Sequence, residues 1–268
     1  MSSTKTEAAE LLVRQEGGAL TLTLNRPEVL NALTLPMMSG MLEQLKKAEK
    51  DRAIRCVVIA ASGRAFCAGA DLADLRKRQS EAAFSLGDEL RLRFNPLIDQ
   101  IRRMEKPVVG AVNGIAAGAG ASLILSTDIK VCSEKASFVN AFVKVGLVPD
   151  SGMTYFLPRH LGLSLALEHA WTAKPITAEL ALRSGWVNRV VPASALESET
   201  GQIVSELCQA PPRAVALTKR ALNRSLESGF EEQMDYEARL QEILGRTKDH
   251  QEGVSAFLEK RVPKFTGD

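Results

Sequence analysis

A run of small residues in the middle of the chain restricts the possible folds more than any other stretch. It follows Val108–Val112, a β-branched segment that predicts a buried strand, and from residue 114 to 122 only Ile115 is larger than serine. Backbone without bulky side chains can approach a ligand or a second turn closely. The apolar residues that follow predict a helix, whose first N–H groups would be free to bind a negatively charged atom. Tight helix–sheet packing without a ligand explains the run equally well.

A second turn of the same kind lies earlier in the chain. Ala68-Gly69-Ala70-Asp71 follows a predicted buried strand at residues 56–60. Two backbone N–H groups that converge about 3 Å from a developing oxyanion stabilise an enolate or a tetrahedral intermediate. A dinucleotide-binding loop is excluded because Leu123 stands where its third glycine is required, and the sequence has no Gly-Lys-Ser/Thr for a P-loop.

The remaining elements alternate between strand and helix patterns. Residues 11–14 and 19–24 predict a hairpin, and Thr34 and Thr177 are expected to cap helices. A helix is predicted over 81–104, with either a kink or a restart at Asn95-Pro96 and Asn95 as the candidate cap. Further on, the sequence predicts a loop over 143–152, helices over 161–172 and 177–184, and a strand over 187–191. Beyond Pro212 the pattern is helical throughout. We therefore expect an α/β core over residues 1–192 and a helical C-terminal region over 193–268.

Composition excludes several classes of function. The 268 residues include 34 Lys and Arg against 32 Asp and Glu, so no basic surface for nucleic acid is expected. The four cysteines form no CxxC pair and the three histidines lack metal-ligand spacing, which argues against a disulfide framework or a metal site. No apolar run approaches the roughly 20 residues needed to cross a bilayer. The expectation is a cytoplasmic protein without membrane or nucleic-acid partners.

Five segments together resemble the crotonase (enoyl-CoA hydratase/isomerase) superfamily over nearly the whole chain. They are residues 24–33, 65–72, 106–122, 146–154 and 252–265. The resemblance implies a spiral of ββα units with a C-terminal helical trimerisation region, a homotrimer or hexamer, and an acyl-CoA substrate. It also implies that Phe257 and Lys260 reach the CoA of a neighbouring subunit.

The resemblance assigns roles to both small-residue turns. Ala70 and Ala119 match the two residues whose N–H groups hold the thioester oxygen, and Ala119 replaces a more usual glycine without losing the N–H. Ala68, Asp71 and Leu72 fall in the segment that binds CoA, with Ala68 and Leu72 at its adenine end.

The carboxylates differ from those of hydratases in this superfamily. Ser122 and Phe142 stand where two glutamates activate water, so the resemblance implies that ordinary hydration is lost and that Phe142 forms an apolar wall. Asp150, eight residues beyond Phe142, occupies the place of the catalytic carboxylate of isomerases and dehalogenases. In a Pro-Asp-Ser-Gly sequence, an aspartate that only bonds its own turn is the alternative.

Within the superfamily, residues 116–121, 141–150 and 252–257 resemble the 1,2-epoxyphenylacetyl-CoA isomerase branch, although Met153 stands where a second glycine is usual. The resemblance implies an isomerase that works through a thioester enolate, with Asp150 as acid and base and CoA present only as part of the substrate. No metal or redox cofactor is expected. Two alternatives are a hydratase for a special substrate, in which Asp150 or Ser122 handles water, and a non-catalytic acyl-CoA-binding scaffold. Cys67, beside the first turn, is a weaker candidate as a nucleophile.

Overall fold

The computed structural model describes residues 9–80 and 84–268, and in these ranges strands and helices alternate as predicted. The strands are β1 Leu11–Glu16, β2 Ala19–Leu24, β3 Cys56–Ala61, β4 Ala65–Cys67, β5 Val108–Val112, β6 Ile115–Ala117, β7 Ile129–Ser133, β8 Ser137–Val139, β9 Ile176–Thr177 and β10 Arg189–Val191. The α-helices are α1 Leu35–Lys50, α2 Leu72–Gln79, α3 Leu86–Glu89, α4 Asn95–Arg103, α5 Ala119–Leu125, α6 Met153–Leu161, α7 Leu163–Thr172, α8 Ala178–Arg183, α9 Leu196–Gln209, α10 Pro212–Ser225, α11 Phe230–Gly245 and α12 Lys248–Glu259.

Six strands form the larger sheet, in the order β1-β2-β3-β5-β7-β10. β1 and β2 pair antiparallel, from Leu11 opposite Leu24 to Glu16 opposite Ala19, so the predicted hairpin is confirmed. The other neighbours are parallel. In β2 every second residue is buried, as the period of a half-buried strand requires.

Four short strands form a second sheet, in the order β4-β6-β8-β9. β4, β6 and β8 each follow a strand of the larger sheet after a short turn and run parallel to one another. A helix follows each of them, namely α2, α5 and, after a longer loop, α6. The chain therefore repeats a unit of two strands and a helix, and this repeat brings the carboxyl ends of β4 and β6 side by side.

The main core packs α1 against the sheets. The Thr34 hydroxyl accepts the N–H of Met37 at 3.2 Å, which confirms Thr34 as the helix cap. Met37, Met41 and Leu45 lie on the inner stripe of α1 and are almost completely buried. Thr177 also caps a helix as predicted, since its hydroxyl accepts the N–H of Leu180 at 3.2 Å.

The first helix of the expected C-terminal region, α9, covers the outer face of the larger sheet. Its Leu196 and Ile203 form a second core cluster with Cys56, Val109 and Val131 of the sheet. Helices α10 to α12 then complete the chain. A helical C-terminal region is therefore present, while the division at residue 192 stays a prediction.

The helix does not restart at Asn95-Pro96, so the predicted cap at Asn95 is wrong. Leu90–Phe94 is a π-helix that runs directly into α4, and Asn95 lies within the continuous helix at φ −59° and ψ −40° instead of capping it. Its N–H donates to the carbonyl of Leu90, five residues back. The wider π turn accommodates Pro96, which has no N–H to donate, without ending the helix. Residues 81–83 of the predicted helix lie outside the described residues.

The predicted loop over 143–152 and the predicted helix start at 161 also need correction. A 3₁₀-helix, Ala141–Val145, overlaps the beginning of the loop. Helix α6 begins at Met153, eight residues before the predicted start, and is separated from α7 by Gly162 at φ +73°. The apolar face of α6 is buried, so its helical spacing prevails over Pro158 within it.

Substitution of Gly120 tests how closely the turns after β4 and β6 must approach each other. A Cβ at Gly120 would lie 2.6 Å from the Cβ and Sγ atoms of Cys67, whereas a Cβ at Gly201 in α9 would meet nothing within 4 Å. We expect Gly120→Ala to lower the free energy of unfolding by about 1–3 kcal/mol through overpacking. Gly201→Ala should raise it by roughly 1 kcal/mol through helix propensity. Urea denaturation of both variants measures this, and equal effects would contradict the close approach.

Candidate active site

The first turn, after β4, leaves one backbone N–H unused. The N–H of Ala68 donates to the carbonyl of Leu30 at 2.9 Å, and Leu33 accepts the N–H of Asp71 at 3.0 Å. Leu33 in turn donates to the carbonyl of Gly69 at 2.7 Å. The hydrogen bonds of Gly69 and Asp71 to Leu33 thus fix Ala70, which lies between them. Its own N–H has no acceptor among the described residues.

The second turn, after β6, leaves the backbone N–H of Ala119 without an acceptor among the described residues. Gly118 has φ +50° and ψ −126°, a conformation that in practice requires glycine, and it donates to the carbonyl of Val139 at 2.9 Å. Ala119 is the first residue of α5, and the first N–H groups of a helix have no acceptor within it. In the described part of the chain nothing else accepts the Ala119 N–H.

The two turns lie against each other. β4 and β6 pair in parallel, with Cys67 opposite Ala116. A Cβ at Gly69 would lie 2.9 Å from the carbonyl oxygen of Ala117 and 3.6 Å from the nitrogen of Ala119. Glycine is therefore required for this contact, and the small residues that the sequence concentrates here bring Ala70 and Ala119 to one edge of the sheet.

Both turns open on a cavity of about 130 Å³. Seven of the residues predicted to form the site line it, namely Ala68, Ala70, Asp71, Leu72, Ala119, Phe142 and Asp150. Apolar side chains from α2, α3 and the π-helix complete much of the wall, namely Leu75, Leu86, Leu90 and Phe94. The cavity thus brings the two unpaired N–H groups and the Asp150 carboxylate together within a largely apolar wall.

Phe257 and Lys260 lie elsewhere. Both are at the end of α12, where Phe257 is 84% exposed and Lys260 has φ +55°. Neither lines the cavity formed by this chain. Their predicted contact with CoA involves a neighbouring subunit and stays a prediction.

Asp71 has a structural role, as a helix cap and ion-pair partner, that was not predicted from the sequence. Its carboxylate accepts the N–H groups of Ala73 at 3.1 Å and Asp74 at 3.2 Å, which caps α2, and it pairs with Arg26 at 2.9 Å. Burial raises the pKa of Asp71, but the hydrogen bonds from Arg26 and from the two amides outweigh it and leave the pKa below its usual value. The charged carboxylate thereby fixes the helix that follows the first turn.

Asp150 lies in the loop between the 3₁₀-helix and α6. Its carbonyl oxygen accepts the Ser122 hydroxyl at 3.0 Å and the N–H of Met153 at 2.9 Å. Its carboxylate oxygen Oδ1 accepts the Ser151 hydroxyl at 2.8 Å. Burial raises the pKa of Asp150, and the bond from Ser151 opposes that rise only in part. A carboxylate with a raised pKa is a better base than an ordinary aspartate.

A partly buried ion pair on the cavity wall was not predicted from the sequence. Arg78 of α2 bonds Glu89 of α3, and Glu89 also pairs with Arg93 at 3.1 Å while Arg78 pairs with Asp74 at 3.2 Å. Both Arg78 and Glu89 line the cavity. The two residues belong to different helices, so no spacing within one element indicated their contact.

Cys67 does not fit the role of a nucleophile. Burial raises the pKa of its thiol to about 12, and the thiolate is the reactive form.

Over residues 9–80 and 84–268, no group of three or more His, Cys, Asp or Glu side chains is arranged to hold a metal ion. None of the helices in these ranges has the length and hydrophobicity of a membrane span.

Comparison with known families decides the class of the protein. The enoyl-CoA hydratase/isomerase family matches residues 14–268. The chain belongs to this family. A putative enoyl-CoA hydratase from Streptomyces coelicolor A3(2) has the same fold, with a TM-score of 0.92 at 32% identity over all of both chains. The crotonase fold expected from the sequence is thereby confirmed, together with its C-terminal helical region.

Relatives within the enoyl-CoA hydratase/isomerase family include proteins named as isomerases and proteins named as hydratases. The 1,2-epoxyphenylacetyl-CoA isomerase of Escherichia coli is 41% identical over 257 residues, which cover 96% of this chain and 98% of that protein. A probable enoyl-CoA hydratase of Rhodobacter capsulatus is 40% identical over 250 residues, covering 93% and 95%. Membership of the family implies an acyl-CoA substrate, and the reaction must be argued from the site.

Proposed function

We propose that this enzyme isomerises acyl-CoA thioesters, with 3-enoyl-CoA or 1,2-epoxyphenylacetyl-CoA as substrate. One observation carries the proposal: Asp150 shares a cavity with the unpaired N–H groups of Ala70 and Ala119, while Ser122 and Phe142 replace the water-activating glutamates. Such a site can move a proton, but it lacks the two glutamates that add water, and the other carboxylates on its wall, Asp71 and Glu89, are bound in ion pairs. The Escherichia coli isomerase is similar along nearly the whole chain, which supports the same reaction.

The two N–H groups act on the thioester oxygen. When a proton leaves C2 of the acyl chain, the electrons of that C–H bond move into the thioester group and its oxygen becomes negative. The N–H groups of Ala70 and Ala119 donate to this oxygen and lower the free energy of the enolate. Their positions are fixed by the backbone, so little reorganisation is needed as the charge develops.

Asp150 moves the proton. Its carboxylate takes the proton from C2 of a 3-enoyl-CoA and returns it to C4, which leaves a 2-enoyl-CoA and the original carboxylate. The reaction consumes no water and transfers no electrons to an acceptor, so we propose that it requires neither a metal nor a redox cofactor. Phe142, almost fully buried on the cavity wall, helps to keep the cavity apolar.

Hydration of a special substrate is the second candidate, and the similarity to the Rhodobacter capsulatus protein favours it. Ser122 is poorly suited to that role, because it is completely buried, does not line the cavity and donates its hydroxyl proton to the carbonyl of Asp150. Water activation would then depend on Asp150 alone. A non-catalytic scaffold would leave the placement of this carboxylate without a purpose.

A comparison of substrates separates the two reactions. We expect crotonyl-CoA hydration at least about 10²-fold slower than isomerisation of a 3-enoyl-CoA, since loss of positioned acid–base groups costs about 10²–10⁴-fold. Absorbance at the enoyl thioester band follows both reactions. Comparable rates would rule out the isomerase assignment and favour the hydratase.

The second experiment replaces the carboxylate itself. Asp150→Asn keeps the shape of the side chain but removes the basic oxygen, so we expect kcat for isomerisation to fall about 10²–10⁴-fold. Thermal stability should not fall, because burial disfavours the charged carboxylate. Asp99→Asn, which removes an exposed carboxylate from α4, serves as the control and should leave kcat unchanged. Normal isomerisation by the Asp150→Asn variant would reduce Asp150 to a turn residue.

We further propose a trimer or hexamer in which Phe257 and Lys260 complete a neighbour's CoA site. Large apolar side chains stand exposed on α10, α11 and α12, including Leu222, Phe230 and Phe257. Sedimentation velocity should give a trimeric or larger species. The double variant Phe257→Ala, Lys260→Ala should weaken CoA binding by calorimetry without changing the cavity. A monomer that binds CoA with the affinity of the unmodified protein would contradict the shared site.

A further inference from the structure

Ser151 adopts a backbone conformation that its residue type disfavours. Its φ is +53°, in the left-handed region, and its side chain is buried. Residues other than glycine are held there only where the surrounding structure imposes it, and such residues concentrate at functional sites. In this conformation the Ser151 hydroxyl donates to Oδ1 of Asp150 at 2.8 Å. No described residue donates to the other oxygen, Oδ2.

Ser122 holds the same aspartate by its backbone. It is completely buried in α5, and its hydroxyl donates to the Asp150 carbonyl at 3.0 Å, with the Gly118 carbonyl more distant at 3.5 Å. Ala119, one of the two oxyanion donors, is the first residue of this helix. One side chain therefore connects the helix that presents an oxyanion donor to the loop that presents the carboxylate.

We infer that Ser122 and Ser151 are positioning residues that fix Asp150 relative to the oxyanion donors. Ser122 sets the place of the backbone, and Ser151 orients the carboxylate so that Oδ2 receives the substrate proton. The Ser151 proton stays on its own oxygen throughout, so the proton balance of the isomerisation is unchanged. This inference rests on the proposed function of Asp150.

The hydrogen bond from Ser151 to Asp150 should also affect how the activity depends on pH. A hydrogen bond to the charged carboxylate lowers its pKa, so removal of the bond should raise the pKa of Asp150 further. The activity requires the charged form, and its acid limb should therefore move to higher pH. Three other ionisable groups line the cavity wall, and all of them are held in ion pairs: Asp71, Arg78 and Glu89. Helix α5 carries no ionisable side chain, and Lys144 of the 3₁₀-helix is exposed.

Three alanine variants test the inference, one of them a matched control. Ser122→Ala and Ser151→Ala each remove one bond to Asp150. Ser126→Ala, also completely buried in the region of α5, removes only a bond to the Leu123 carbonyl at 2.6 Å. We expect the first two to lower kcat about tenfold or more with KM nearly unchanged, since one such bond is worth about a factor of ten. The control should keep its kcat.

The pH profile of kcat/KM separates positioning from mere folding. Ser151→Ala should shift the acid limb upward by about one pH unit, as expected for a lost bond to a charged group. Ser151→Gly relaxes the strained φ, so it folds at least as well, and it should show the same shift and the same loss of kcat. Serine variants that match the Ser126 control in kcat and in pH profile would overturn the inference.

The Asp150→Asn variant distinguishes a failure of the positioning inference from a failure of the proposed function. If Asp150→Asn lowers kcat and the serine variants do not, the positioning inference fails and the proposed function stands. If Asp150→Asn has no effect, the proposed function itself fails. Added to Asp150→Asn, the Ser151→Ala change should cause no further loss, because the carboxylate that Ser151 orients is gone.

Discussion

The contact between the turns after β4 and β6 is the constraint on which the site depends. Gly69 approaches the carbonyl oxygen of Ala117, and Gly120 approaches Cys67, at distances that leave no room for a Cβ. This contact brings two N–H groups to the edge of one parallel pair of strands. Any side chain in either place would separate the turns, and with them the two donors that we propose to hold the thioester oxygen.

Features that depend on neighbouring residues could be predicted from the sequence. The two apolar segments on either side of Gly17-Gly18 indicated the hairpin, and the hydroxyls of Thr34 and Thr177 cap helices as expected. The two small-residue turns could be predicted as well, because glycine and alanine act through their lack of bulk. The resemblance to a family then indicated Ala70, Ala119 and Asp150, and the structure brings these residues into one cavity.

Features that depend on distant partners could not be predicted. Ser122 bonds the carbonyl of Asp150 across 28 residues of sequence, and Arg78 meets Glu89 only because α2 and α3 face each other. Asp71 appeared as a binding residue and in the fold also caps α2 and pairs with Arg26. The π turn at Leu90–Phe94 was equally hidden, since a proline in a helical pattern predicts a break unless packing keeps the helix continuous.

The central claim is that Asp150 removes a proton from C2 while two backbone N–H groups hold the enolate oxygen. Incubation with phenylacetyl-CoA in D₂O tests it most directly, because this thioester has acidic C2 protons but no double bond in its acyl chain to shift. Mass spectrometry of the recovered thioester should show deuterium at C2 with the natural enzyme and almost none with Asp150→Asn. Equal exchange by the two proteins would contradict the account, since the proton would then be taken by another group.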